Sequence, residues 1–208
     1  MNLNPDSTPF QQDRFDKALS LFDAANAADP NLEDAGGQLR PKELLYAERM
    51  SEMLGRFCPA ADEAVRLAVR AQHIRRWTVP RNSYPMTPEG YKQWRSGLYK
   101  YHAETAGALM REAGYDDETV ARVERIVAKK GIKLNDDTQL LEDIASLVFV
   151  EHYLSAFAAR HPEYDEPKWR DIIRKTWQKM SAGARDFVLA GGIALPADLT
   201  PLIVKAIE

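Results

Sequence analysis

Ala68–Glu104, AVRAQHIRRWTVPRNSYPMTPEGYKQWRSGLYKYHAE, is the stretch whose reading decides the fold. It opens on the apolar end of a helix. Residues 78–90 then carry Pro80, Pro85, Pro88 and Gly90, a density that rules out helix and predicts a structured loop. Helical character returns from about Gly90 and runs to Ala113. Each flanking helix carries one histidine, His73 before the loop and His102 after it. The loop and its borders hold Arg75, Arg76, Arg81, Lys92, Arg95 and Lys100 against a single acid, Glu89. Trp77, Tyr84, Tyr91, Trp94, Tyr99 and Tyr101 are interleaved with them.

The same helix–break–helix grammar extends in both directions. Upstream, Ala61–Trp77 completes the third helix. Pro59 ends a second helix over Pro41–Phe57, in which Pro41 suits the first turn and Leu44, Leu45, Met50, Met53, Leu54 and Phe57 form the apolar face. A first helix begins near Asp13 and stops by Asp29–Asn31, because a residue before proline avoids helical geometry. Glu33–Gln38 reads as a loop and residues 1–12 as a disordered leader. Downstream, Gly114 stops the fourth helix, and Asp116–Gly131 forms a fifth with acids in its first turn and lysines in its last. Asp136–Pro162 is a long, strongly apolar sixth helix and Pro167–Gly183 a seventh. One or two short helices fill 184–208. No period-2 strand and no repeat is visible. The expectation is an all-α fold, a single compact bundle of about seven main helices over residues 13–208.

The 208 residues carry a net charge of −3 and are 45% hydrophobic, enough for a real core without suggesting bulk nucleic-acid binding. No apolar run reaches a membrane span, and the N-terminus lacks a signal-peptide pattern. Cys58 has no internal partner, which points to a reducing, cytoplasmic setting. Nucleophile-elbow, P-loop and dinucleotide motifs are absent. Lys179-Met180-Ser181 reads KMS, but it is followed by Ala-Gly and no HIGH segment accompanies it, so an aminoacyl-tRNA synthetase is not supported.

Chemistry-bearing residues fall into two groups. His73 and His102 lie among small or apolar neighbours, and Glu142 and Asp143 interrupt the most apolar helix, where carboxylates seldom sit without partners. Two histidines and a carboxylate from separate helices suit a divalent metal (Mn, Mg, Zn or Fe), with His73, His102 and Asp143 as ligands; a hydrogen-bonded polar network is the alternative. Arg75, Arg76, Arg81, Tyr84, Tyr91, Trp94 and Arg95 suit a small anionic ligand such as a nucleotide, since guanidinium forks grip phosphate and aromatic faces stack on bases. A solvated charged face packed down by tryptophan is the plainer reading. Asp23, Asn26 and Asp29 share one helical face, either lining a polar site or capping the helix end. Glu48 lies on the polar side of the second helix.

Leu44–Met50 (LLYAERM), Gln72–Trp77 (QHIRRW), Pro80–Met86 (PRNSYPM), Gly90–Arg95 (GYKQWR), Gln139–Tyr153 (QLLEDIASLVFVEHY) and Lys175–Ser181 (KTWQKMS) together resemble the domain of unknown function 4202 family, over roughly Arg14–Gly183. Pro88 stands where that family's pattern has an arginine. The layout more distantly resembles the HD-domain superfamily of metal-dependent phosphohydrolases, an all-α fold. The resemblance matches His73 to the histidine of the HD pair, His102–Tyr115 to a following helical segment and Asp143 to the late aspartate, with Glu142 as its alternate. Ile74 replaces the aspartate of the pair. Glu48 stands at the first histidine's place, and Lys129 and Lys130 stand where two-metal members carry histidines. The resemblance therefore implies at most one metal, held by His73, His102 and Asp143, with Asp143, Glu142 and Glu48 as catalytic candidates. The implied activity is hydrolysis of a nucleotide or small phosphoester. A non-catalytic nucleotide- or anion-binding module and a helical protein-interaction domain are the alternatives.

Overall fold

The computed structural model describes residues 9–207, with side chains from residue 12. It is predominantly helical, with ten α-helices among the described residues and one small antiparallel hairpin. The elements are α1 (Pro9–Ala27), β1 (Leu32–Asp34), β2 (Leu39–Pro41), α2 (Lys42–Phe57), α3 (Glu63–Ala71), α4 (Pro88–Ala113) and α5 (Asp117–Val127). They continue with α6 (Asp136–Val148), α7 (Leu154–Ala159), α8 (Glu166–Lys179), α9 (Ala182–Leu189) and α10 (Thr200–Ile207). The all-α expectation holds. The count exceeds seven because the sixth helix is split into α6 and α7 by a π-helical turn at Phe149–Tyr153, and because the C-terminal stretch supplies α9 and α10.

Local chemistry explains the boundaries. Asp62, Thr87, Asp116, Asn135, Asp165 and Ser181 each accept a backbone N–H in the first turn of the helix that follows, satisfying a donor the helix cannot. Gly114, at φ 99°, ends α4 in the left-handed conformation a side chain resists.

Three expectations are corrected. The first helix starts at Pro9, not near Asp13; residues 1–8 of the expected leader lie outside the described residues. The stretch read as a loop is instead the turn of a hairpin pairing Leu32 with Pro41, Glu33 with Arg40 and Asp34 with Leu39. Gly36 and Gly37 both take positive φ, as a tight hairpin turn requires, and Pro41 ends a strand rather than opening a helix. The third helix stops at Ala71, six residues before Trp77, and a turn followed by a short 3₁₀ segment (Arg76–Thr78) replaces its last part.

The contacts divide the chain into two compact units, residues 1–51 with 61–130, and residues 52–60 with 131–208. In the first, α4 packs on α5 and α1, while α3 packs on α5, α1 and α4. Phe22, Met50, Leu67, Ile74, Leu98, Met110 and Ile126 are fully buried there. Gly90 lets the start of α4 close on the loop, since a Cβ at that position would meet the Pro85 carbonyl oxygen at 2.1 Å. In the second unit, α6 packs on α8 and α9, and α8 on α10, around Leu141, Ile144, Leu147 and Leu154. An apolar cavity of about 20 Å³ borders Phe149, Ile173, Trp177 and Ile203, room for about one water. No helix among the described residues is long and apolar enough to cross a membrane.

Candidate functional site: a close histidine pair

The first unit brings His73 and His102 together, with ring centroids 5.8 Å apart. His102, on α4, is 2% exposed. Its Nδ1 lies 2.8 Å from the Ile74 carbonyl oxygen. A carbonyl only accepts, so Nδ1 carries the proton and Nε2 presents a lone pair. That Nε2 is buried and has no hydrogen-bond partner. A buried polar atom left this way costs about 1–3 kcal/mol, so it is a feature to explain. Burial, with His73 next to it, pushes the His102 imidazole down to about 3; the Ile74 bond and Glu43 work the other way. The ring is therefore neutral at physiological pH.

His73 sits in the turn just past α3. Tyr46 of α2 stacks on it at 4.2 Å, with planes 15° apart. Its Nδ1 faces Glu43 Oε2 at 3.5 Å. Glu43 and Tyr46 are one turn apart on α2, so both side chains reach the same place. Burial, reinforced by Arg76, Lys129, Lys42 and Arg95, holds His73 well below its usual range. Glu43 is 6% exposed. Burial pushes its carboxyl up, while Arg76, Lys42 and His102 oppose that.

The C-terminal end of α1 supports both. Asp29 Oδ2 accepts the Glu43 N–H at 3.1 Å, and its Oδ1 accepts from the backbone and side chain of Asn31. Asn26 Oδ1 accepts the Arg75 N–H at 3.0 Å. Arg75 has φ 51°, a left-handed conformation unusual for a residue with a side chain. That backbone reversal lies four residues past the end of α3 and immediately follows the Ile74 carbonyl that His102 meets.

The expected anion-binding residues divide. Arg76 stacks over Trp94 at 4.8 Å, and Trp94 donates from Nε1 to the Val79 carbonyl. Arg75 is exposed, and Tyr91 is 45% exposed beside Trp94. Arg81 instead fastens the loop, donating to the carbonyls of Tyr84, Pro85 and Thr87. Tyr84 is half-buried with its hydroxyl near Gly97, and Arg95 donates to the Tyr99 hydroxyl. Glu48 forms a two-pronged pair with Arg40 of β2, at 2.7 Å on each side.

Glu142 and Asp143 belong to the second unit. Asp143 Oδ1 accepts from Gln139 Nε2 at 2.9 Å and from the Ser181 N–H at 2.7 Å, next to the start of α9. Glu142 faces Lys179 Nζ at 3.6 Å. Among the described residues, no three His, Cys, Asp or Glu side chains form a group that could hold a metal ion. Glu43 was not singled out from sequence. An acid in a helix's first turn reads as ordinary dipole complementarity, and only the fold brings it to His73.

A helical unit built around a close pair of neutral histidines, His102 buried and His73 partly exposed, with flanking cations is the class this fold and site define. The chain belongs to the domain of unknown function (DUF4202) family, whose model matches residues 16–203. No curated protein and no solved structure matches it.

Proposed function

We propose that the protein is a metal-dependent phosphoester hydrolase, distantly HD-like, acting on a nucleotide or small phosphoester, with its chemistry centred on the His73–His102 pair. The observation that carries this is the His102 Nε2 lone pair, buried, unpartnered and fixed in its tautomer. A neutral imidazole whose other nitrogen is held by a backbone carbonyl is the usual form of a metal-ligating histidine. His73 would use its Nε2, since Glu43 Oε2 lies on its Nδ1 side at 3.5 Å.

The electrostatics ask for two partners of opposite sign. The histidine lone pairs require a cation or a hydrogen-bond donor. Arg76, Lys42, Lys129 and Arg95 around His73 favour an anion. A divalent ion together with a phosphate satisfies both. His73 and His102 would hold the ion, which when bound polarises a phosphoryl oxygen and lowers the pKa of water. Arg76, steadied over Trp94, would grip the phosphate, and Arg75 and Tyr91 would meet the rest of the substrate. We place this activity in the cytoplasm, in keeping with the free thiol of Cys58.

Purified protein should carry, or take up, one Mn²⁺, Zn²⁺, Mg²⁺ or Fe²⁺ per chain and hydrolyse a nucleotide or generic phosphoester. His102→Ala should abolish both. Failure of every ion to bind, stabilise or support hydrolysis sinks the reading. A nucleotide-induced thermal shift without turnover would replace it by a binding module.

A further inference from the structure

We infer that Asn26 is the positioning residue that fixes the tautomer of His102, acting through the peptide bond between Ile74 and Arg75. The two ends of that one peptide unit are held from opposite sides. Its N–H, on Arg75, donates to Asn26 Oδ1 at 3.0 Å. Its C=O, on Ile74, receives His102 Nδ1–H at 2.8 Å. A peptide unit is planar, so fixing the N–H direction fixes the direction of the carbonyl. The amide orientation of Asn26 is itself determined, because the Arg75 N–H can only donate and the atom facing it must be the oxygen.

The surroundings show that this bond is retained at a cost. Asn26 is 1% exposed, and its Nδ2 is buried without a hydrogen-bond partner. Arg75 is held at φ 51°, where a non-glycine residue is strained. An apolar residue at position 26 would avoid the first penalty, and a continued α3 would avoid the second. Either change would turn the Ile74 carbonyl away from His102. The ring would lose the acceptor that keeps its proton on Nδ1, and Nε2 would no longer present a lone pair. Asn26 thus touches neither substrate nor ion, and sets which nitrogen of His102 is available to them. The consequence for ion binding rests on the proposed function; the tautomer itself does not.

The test reads the tautomer directly, by ¹H–¹⁵N long-range NMR on the metal-free full chain at neutral pH. Wild type should show His102 as Nδ1–H. Asn26→Ala should shift His102 mainly to Nε2–H, and Asn26→Asp, which keeps the acceptor oxygen, should restore Nδ1–H. In the same variants, Zn²⁺ affinity should fall about 10- to 100-fold for Asn26→Ala and recover for Asn26→Asp. An unchanged Nδ1–H tautomer in Asn26→Ala overturns the inference. Should Asn26→Ala not fold, amide exchange in wild type decides: Arg75 N–H must be protected, and free exchange there overturns the inference equally. A wild type with the Nδ1–H tautomer but no metal uptake would refute the proposed function and leave Asn26's role standing.

Discussion

Tyr46 lies almost parallel to His73 at stacking distance, and Glu43, one turn earlier on the same helix, faces the Nδ1 edge of that imidazole. One helix thus controls both the plane and the edge of the ring. Tyr46→Ala should remove the platform while leaving Glu43 in place. It should cost more in urea denaturation than Tyr46→Phe, by roughly 1 kcal/mol beyond the loss of the ring's buried area, the usual worth of an aromatic contact. Equal losses in the two variants would show that the ring face contributes nothing.

Acid should weaken the first unit in a defined window. His102 falls from 6.5 to about 3 on folding, and His73 is lowered as well. Below pH 6.5 the unfolded chain therefore binds protons that the folded chain refuses. Stability is fully present above the unfolded value and is lost as pH falls from 6.5 toward 3, at about 1.4 kcal/mol per pH unit for His102, with His73 acting in the same direction. Glu43, whose carboxyl is raised, acts in the opposite sense over its own range. Denaturation at pH 6.5, 5.5 and 4.5 checks this, and the His102→Gln variant should flatten the slope. An unchanged slope in that variant would acquit His102.

The close approach of α4 to the loop depends on Gly90. In Gly90→Ala the new Cβ would collide with backbone at Pro85, which cannot swing aside as a side chain can. A loss of about 1–3 kcal/mol is expected, the usual range for overpacking. Gly97→Ala, whose Cβ would meet only the Tyr84 hydroxyl at 3.3 Å, should cost less. The reverse ranking, read by thermal denaturation, would contradict the packing described.

Arg81 and Glu48 should behave as structural residues. Arg81→Lys keeps the charge but loses the planar fork that reaches three carbonyls, so limited proteolysis within residues 80–87 should accelerate. Glu48→Gln breaks a pair in which each side chain is about one-third exposed, and should cost no more than about 1 kcal/mol. It should leave metal uptake unchanged; loss of uptake would return Glu48 to the site.

The helices were legible because each carries its own start and stop. Asp62, Thr87, Asp116 and Asn135 are caps recognisable from sequence, and proline and glycine mark most ends. The histidine pairing was legible too, since both residues sit among small or apolar neighbours on either side of one loop. What escaped depends on contacts distant in the chain. Strands of three residues are too short to show an alternating pattern. The turn that follows α3 is held by a hydrogen bond in which the Arg75 N–H donates to Asn26, 49 residues earlier. Glu43 was invisible for the same reason: its role comes from Asp29 and His73, not from its neighbours in sequence.

The π-helical turn at Phe149–Tyr153 has a consequence for how length changes can be tolerated in the second unit. A π turn accommodates one more residue than an α turn. Deleting one residue there would let α6 and α7 fuse into one regular helix and keep α7 close to its present rotational phase, because the π turn already holds the additional residue within a single turn. Leu154 would stay on the buried side, and only side chains of the turn itself, such as Glu151 with its bonds to Arg56 and the Ala194 N–H, would shift. The turn thus stores one residue of slack: a single deletion should be tolerated within Phe149–Tyr153, whereas the same deletion inside α6 would rotate everything after it by about 100°.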